Sequence, residues 1–480
     1  MKSYKILMLF IIFCTLFVTF NQADIYADSV EGTCGKNITW KLEDGVLRIW
    51  GKGDMPECKH KKLELVEGAI NCRDDSDDMD WNYYNWEIKS VIIEEGIASI
   101  SSHAFFRLYN AESIVIPSSV KTIGHAAFSG SGFHQIIIPD SVTSIGEAAF
   151  LGCGSLKNVM LPKHLKKIKK MTFDSCCSLK QVNIPLKTKT IGKLAFYHCC
   201  SLREINIPQT LKTIDEMAFN GCTQLEKINW IGKSTLQSIG FAAFSECSIK
   251  QLTIPASVEK IDSAAISGTK EIKVDKKNKK YKSKNGVVFS KNGETLVCYP
   301  SNKKGSAYTI PKGVKTVGNY AFSDSSGWGS NKYLKKVIMP DSVITIKEEA
   351  FWCVKNLRTV RFSKKLKKVE NFAFSNCSLT SLKLPNSLTY IGASAFDCEH
   401  MKGTITIPKS VKTIKTDAFT AMFHIKKVVI KSKKLKNVEN NILGGLKKNT
   451  KVYLPKSKQE TYKKIFTKKK MKETLKFVYQ

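Results

Sequence analysis

The chain has 480 residues, 42% of them hydrophobic and 10% aromatic, and its 76 Lys and Arg against 42 Asp and Glu give a formal net charge of +34. Only six of those cations are arginine, which argues against a specific reader of nucleic acid, because bidentate recognition of bases and phosphates favours the arginine fork. The excess favours anionic neighbours such as wall polymers or acidic glycans, through a field that salt screens; the bland alternative is a solvated lysine-rich surface with no partner.

In chain order, residues 1–27 read as an export signal: Lys2 and Lys5, an apolar run from Ile6 to Phe20, then a polar region ending at Tyr26-Ala27. The apolar run is shorter than the roughly 20 residues needed to span a bilayer, and no second run of spanning length follows, so the expectation is a secreted or cell-surface, extracytoplasmic bacterial protein with no transmembrane segment once the signal is removed. Residues 28–87 read as an N-terminal cap. Within it, "GTCGKNITWKLEDGVLRIWGKGDM" (Gly32 to Met55) gives two alternating strands turning at Glu43-Asp44-Gly45. Behind it lies an aspartate-rich loop, Asp74, Asp75, Asp77, Asp78 and Asp80, whose spacing lacks the glycine and distal glutamate of a hand-type calcium loop.

From residue 88 the chain repeats. Leu202, Ile205, Ile207, Pro208, Leu211, Ile214, Ala218, Phe219 and Cys222 stand at positions 1, 4, 6, 7, 10, 13, 17, 18 and 21 of a unit that recurs every 22 to 25 residues. The ring at position 18 recurs at Phe105, Phe128, Phe150, Phe173, Phe196, Phe219 and Phe244, then at Phe322, Phe351, Phe374, Phe396 and Phe419. With Ile266 and Leu443 in two degenerate units, this makes about fourteen. Eleven of the thirteen prolines fall at position 7, where a strand must stop. Each unit predicts a short strand over positions 3 to 6, a turn after the proline, a second inward segment, and an Ala-Phe closure. One such coil cannot bury its apolar edge, so coils must stack. Thirteen steps of about 4.8 Å give a body of order 60 Å. The expected layout is repeats over 88–270, a β-hairpin insertion over 271–308 signalled by Asn292-Gly293 and expected to project from the stack, repeats over 309–455, and a basic helical cap over 456–480.

The spacing Leu-x-x-Ile-x-Ile-Pro-x-Ser-Val-x-x-Ile-Gly-x-x-Ala-Phe-x-x-Cys, with close matches at "SIVIPSSVKTIGHAAFSG" (Ser113 to Gly130) and "QIIIPDSVTSIGEAAFLGC" (Gln135 to Cys153), resembles the BspA-like (Treponema-type) leucine-rich repeat family. The resemblance implies a leucine-rich repeat solenoid of short parallel strands stacked into a curved sheet, with irregular or short-helical return segments. It also implies an adhesin-like binding role on a cell surface or in a secretion, and no catalytic residues to carry over.

The motifs of metalloproteases, serine hydrolases and phosphate-binding loops are absent from the chain, and no cofactor or metal is expected. The candidate binding surface is the outward column at position 5: Ile92, Val115, Ile137 and Met160, then Asn183, Asn206 and Asn229. Four apolar side chains in a row on a face expected to be solvated would mark an interaction site for a protein or glycan, unless the N-terminal cap folds over them or they serve strand preference alone. An asparagine row can equally be a ladder that orders the sheet. Cysteines fall in two classes. Cys153, Cys176, Cys199, Cys222, Cys247 and Cys377 share position 21, with Cys353 and Cys398 one residue early, and read as small buried hydrophobes. Cys177 and Cys200 are extra. Neighbouring coils put equivalent Cα atoms about 4.8 Å apart, which admits a Cys177–Cys200 disulfide as well as free thiols or a four-sulfur metal site.

Overall fold

The computed structural model describes residues 29–57, 79–324, 331–448, 450–468 and 475–480. The export signal, four of the five aspartates of the acidic loop, and the end of the C-terminal lysine run lie outside these residues. The chain winds as a parallel β-solenoid of about 16 turns with almost no helix.

Each coil has three sides. The first is the strand over positions 3 to 5, which pairs in register with its neighbours: Asn158–Met160 pairs with Gln135–Ile137 on one side and Gln181–Val182 on the other. Inward positions 4 and 6, such as Ile136, Ile138, Ile205 and Ile207, are buried. The second side is also a ladder, where the sequence reads only as a second inward segment. Residues at positions 12 and 13, such as Thr190-Ile191, Thr213-Ile214 and Ser238-Ile239, pair in parallel from coil to coil. The return segments are irregular turns and contain no helix among the described residues. They too are tied between coils, since the N–H groups of Leu194, Phe196 and His198 donate to the carbonyls of Glu216, Ala218 and Asn220 at 2.8–3.0 Å. This third side holds non-glycine residues in the left-handed region at positions 16 and 20, as at Leu194 and His198 (φ 56° and 52°). Each such residue costs about 1–2 kcal/mol. The inter-coil hydrogen bonds and the ring between the two positions offset that strain.

The rings form the axis of the core. From Phe128 to Phe244 successive centroids are 5.1–5.3 Å apart and their planes lie within 14° of parallel. The insertion does not project. Its hairpin strands Val287–Ser290 and Thr295–Cys298 are antiparallel, but the second pairs in parallel with Thr316-Val317 and so joins the second ladder. Tyr299 then takes the place of the repeated ring. Its N–H donates to the Ala321 carbonyl as Phe196 and Phe219 do to Ala218 and Ala243 of the next coil, and its ring stacks on Phe322 at 5.0 Å. Val288 and Cys298 pack into the N-terminal core while Val287, Phe289, Leu296 and Tyr299 pack into the C-terminal one, so the insertion joins the two blocks.

The ends follow the same ladder rule. In the cap, Ile38–Glu43 and Val46–Gly51 form an antiparallel hairpin, and the second strand pairs in parallel with Ser90–Ile93. At the other end the helix Gln459–Lys468 buries Tyr462 and Phe466, and the chain closes with a strand, Leu475–Tyr479, laid parallel to Thr450–Leu454. No helix among the described residues is long and apolar enough to cross a membrane.

Candidate functional site: the outward columns of the sheet

Strand alternation sends position 4 into the core and position 5 outward, and the register stacks position 5 into one row. Ile92 pairs with Val115, Ile137 with Met160, Asn183 with Asn206, and Asn206 with Asn229. Val115, Ile137 and Met160 are 56%, 53% and 60% exposed, and Ile92 is half-buried. The N-terminal hairpin does not lie over them. It extends their sheet edge to edge, with Arg48 opposite Ile92.

The polar half of the row is partly self-bonded. Asn229 Nδ2 donates to Asn206 Oδ1 at 3.0 Å and, at 3.4 Å, to Glu204 Oε2. The junction between the two halves is concave: a depression of about 670 Å³ is floored by Ile137, Met160, Asn183 and Asn206. One rim is formed by position 3, where Gln135, Asn158, Gln181 and Glu204 follow one another; the other carries the Asp140–Lys163 ion pair at 2.8 Å. That ammonium, by donating to the carboxylate, holds Asp140 below its ordinary pKa. Sequence reasoning named the position 5 row and overlooked position 3, although the same period applied two residues earlier would have found it.

Chemically, the depression offers apolar methyl and thioether surface beside primary amides and one carboxylate. Those groups suit contact and hydrogen bonding. Among the described residues no group of three or more His, Cys, Asp or Glu could hold a metal ion. A second exposed apolar feature, missed in the sequence, lies near the N-terminal end, where Trp86 stacks on Tyr109 with centroids 4.7 Å apart.

The cysteines separate as their register requires. Cys153, Cys176, Cys199, Cys222, Cys247 and Cys377 are buried, and each thiol donates to the carbonyl of a repeated Phe one coil back, at 3.0–3.2 Å. Cys398 joins this row through Phe374, whereas Cys353 occupies the left-handed position 20 and leaves position 21 to Val354. Burial pushes the Cys153 thiol up to about 12 and the thiols of Cys176 and Cys199 well above their ordinary value. Cys176 and Cys199 therefore face the core while Cys177 and Cys200 face solvent, which separates the four sulfurs that a shared metal would need together. Cys177 and Cys200 are free thiols that both approach the His198 carbonyl, at 3.6 and 3.3 Å.

A repeat profile described as "BspA type Leucine rich repeat region (6 copies)" matches residues 80–199, 148–273, 189–327, 328–443 and 402–478. Among solved structures, the pneumococcal vaccine antigen PcpA is 20% identical, with 94% of this chain and 98% of that one covered and a TM-score of 0.56. A leucine-rich cell surface protein from Faecalibacterium prausnitzii is 24% identical over 85% of this chain and 94% of its own, with a TM-score of 0.49. No curated protein matches.

Proposed function

From the premise that this chain belongs to the BspA-type leucine-rich repeat family, we propose that it is an exported or cell-surface bacterial protein. In this reading it binds a macromolecular ligand, protein or glycan, on its sheet face in an adhesin-like role and without catalysing a reaction. A solenoid separates its core from its surface, so outward columns vary without disturbing the coil, which suits broad contact surfaces. Family membership and two bacterial neighbours named as an antigen and a cell surface protein support the location.

The observation that carries the site is the exposed row Val115, Ile137 and Met160, whose last two members run into Asn183 and Asn206 within one depression. A contiguous apolar strip of this kind costs solubility unless it is covered, and it marks interaction surfaces. The test is capture of host matrix and of cell-wall material by the mature protein and by an Ile137→Asp/Met160→Asp double variant. Loss of roughly tenfold or more in capture, largely unchanged between low and high salt, is the expected outcome. Unchanged capture by the variant overturns the site. A second reading, retention on the cell's own envelope by lysine attraction to anionic polymers, is favoured by the net charge of +34; it predicts release at high salt instead.

A further inference from the structure

The second ladder displays a row that neither reading of the sheet face uses. Position 11, just outside the paired residues, carries Lys166, Lys189 and Lys212 in three successive coils. The Lys189 N–H donates to the Lys166 carbonyl and the Lys212 N–H to the Lys189 carbonyl, both at 2.8 Å, which fixes the three in line at about 4.8 Å steps. All three side chains are exposed, as are those of Lys167 and Lys187, one and two residues to either side of the row. None of these five ammonium groups has an ion-pair partner among the described residues. Of the nearby acids, Asp140 pairs with Lys163 and Glu216 with Lys193, while Asp215 is part-buried with its pKa raised by burial.

Five uncompensated charges within about one Debye length, roughly 10 Å at 0.1 M salt, act as a single attractor. They lie along the solenoid axis, so the complementary ligand is a chain with a charge at every few ångströms. Lysine lacks the fork that reads a carboxylate, a base edge or a single phosphate bidentately; it is a point charge with rotatable donors, which suits a phosphate chain held by charge alone and approached from several directions. We propose that the Lys166–Lys189–Lys212 row, flanked by Lys167 and Lys187, binds a flexible linear phosphodiester polymer laid along the solenoid. The proposal gives a site to the envelope-retention reading, on which it rests for its biological setting, and it is independent of the sheet-face site.

The test uses the mature protein and lipid-free poly(glycerol phosphate), with polygalacturonate as the carboxylate arm, at about 50 and about 200 mM salt. Lys166→Gln/Lys189→Gln/Lys212→Gln is compared with Lys270→Gln/Lys273→Gln/Lys279→Gln, which removes the same charge from exposed sites elsewhere. Thermal melts confirm that both variants fold, and a triple Lys→Arg variant of the row retains the charge. For a flexible strand, each lost phosphate contact removes about 0.7 from the slope of log affinity against log salt. Three lost contacts lower it by about 2, so the affinity lost across that salt range shrinks by roughly 20-fold, while the control triple changes little. Equal effects of the two triples, no binding by the wild type, or tighter binding of polygalacturonate each overturns the proposal. Salt extraction from whole cells is a separate readout. If it fails while polymer binding holds, the envelope reading falls and the site stands.

Discussion

Asp174 offers a direct test of how the interior handles charge. It follows the repeated Phe173, and its side chain is almost wholly buried, with the Ser175 hydroxyl donating to Oδ1 at 2.8 Å. Burial pushes its carboxyl from 3.8 up to about 6, against the opposing pull of that hydroxyl. The folded chain therefore holds this proton more tightly than the unfolded chain. Below about pH 4 both states are protonated and the site carries no penalty. As pH rises from about 4 to about 6 the unfolded carboxyl ionises first, and stability falls until the folded one has ionised too. At about 1.4 kcal/mol per pH unit, the gap between 3.8 and about 6 caps the loss at about 3 kcal/mol. Asp174→Asn keeps the shape and an acceptor for Ser175 and cannot ionise. It should match the wild type near pH 4 and exceed it by up to about 3 kcal/mol near pH 7.5, measured by urea unfolding across that range. An equal difference at every pH, or a variant less stable than wild type at pH 7.5, refutes the reasoning.

Four further outcomes follow from the packing. Iodoacetamide on the native protein should label Cys177 and Cys200 well before any member of the buried thiol row, whose protonated form burial favours; equal labelling of Cys199 contradicts this. Oxidised glutathione should join Cys177 to Cys200 by two exchange steps that release two reduced glutathiones, read as a reducible cross-linked peptide; stable mixed adducts on both cysteines contradict it. Phe196→Ala removes a ring stacked on Phe173 at 5.3 Å and on Phe219 at 5.1 Å and should cost about 3–5 kcal/mol. Hydrogen exchange should place that loss in the adjacent coils, and equal loss around Phe396 would deny that the coils couple mainly to neighbours. Glu246→Gly relieves a left-handed residue (φ 56°) at the position where Gly130, Gly152 and Gly221 stand in other coils, and should gain about 1 kcal/mol in thermal unfolding.

The period made the solenoid readable before any coordinates, because inward residues recur at fixed positions and only stacking buries them. The ring stack and the position 21 thiols were legible for the same reason, as was the outward row from Ile92 to Asn229. What escaped has physical causes. Two-residue strands such as Thr190-Ile191 have no alternation to detect, and non-glycine left-handed residues such as Leu194 carry no signal in composition. Tyr299 was hidden because a hairpin enters the second ladder just before it and shifts the register: Tyr299 follows Leu296 by three residues where Phe322 follows Val317, the partner of Leu296, by five, so the aromatic fell out of phase while keeping its place in space. The Trp86–Tyr109 pair joins residues outside the periodic positions, and a contact of that kind is set by tertiary structure alone.

Because the second ladder read only as an inward segment, the lysines at its edge were counted only as net charge. Placed on the coil they form a face of their own, and the two faces make a joint prediction. Position 5 and position 11 sit on different sides of the same coils, separated by the proline turn, and share no side-chain partner. Sites that share no partner and lie more than about 7–10 Å apart contribute additively. Ile137→Asp/Met160→Asp should therefore leave poly(glycerol phosphate) binding within about twofold of wild type, and the row triple should leave capture of a sheet-face ligand unchanged at high salt. Coupling between the two, with either variant abolishing both activities in a folded protein, would mean that one ligand wraps both sides and that the faces are a single site.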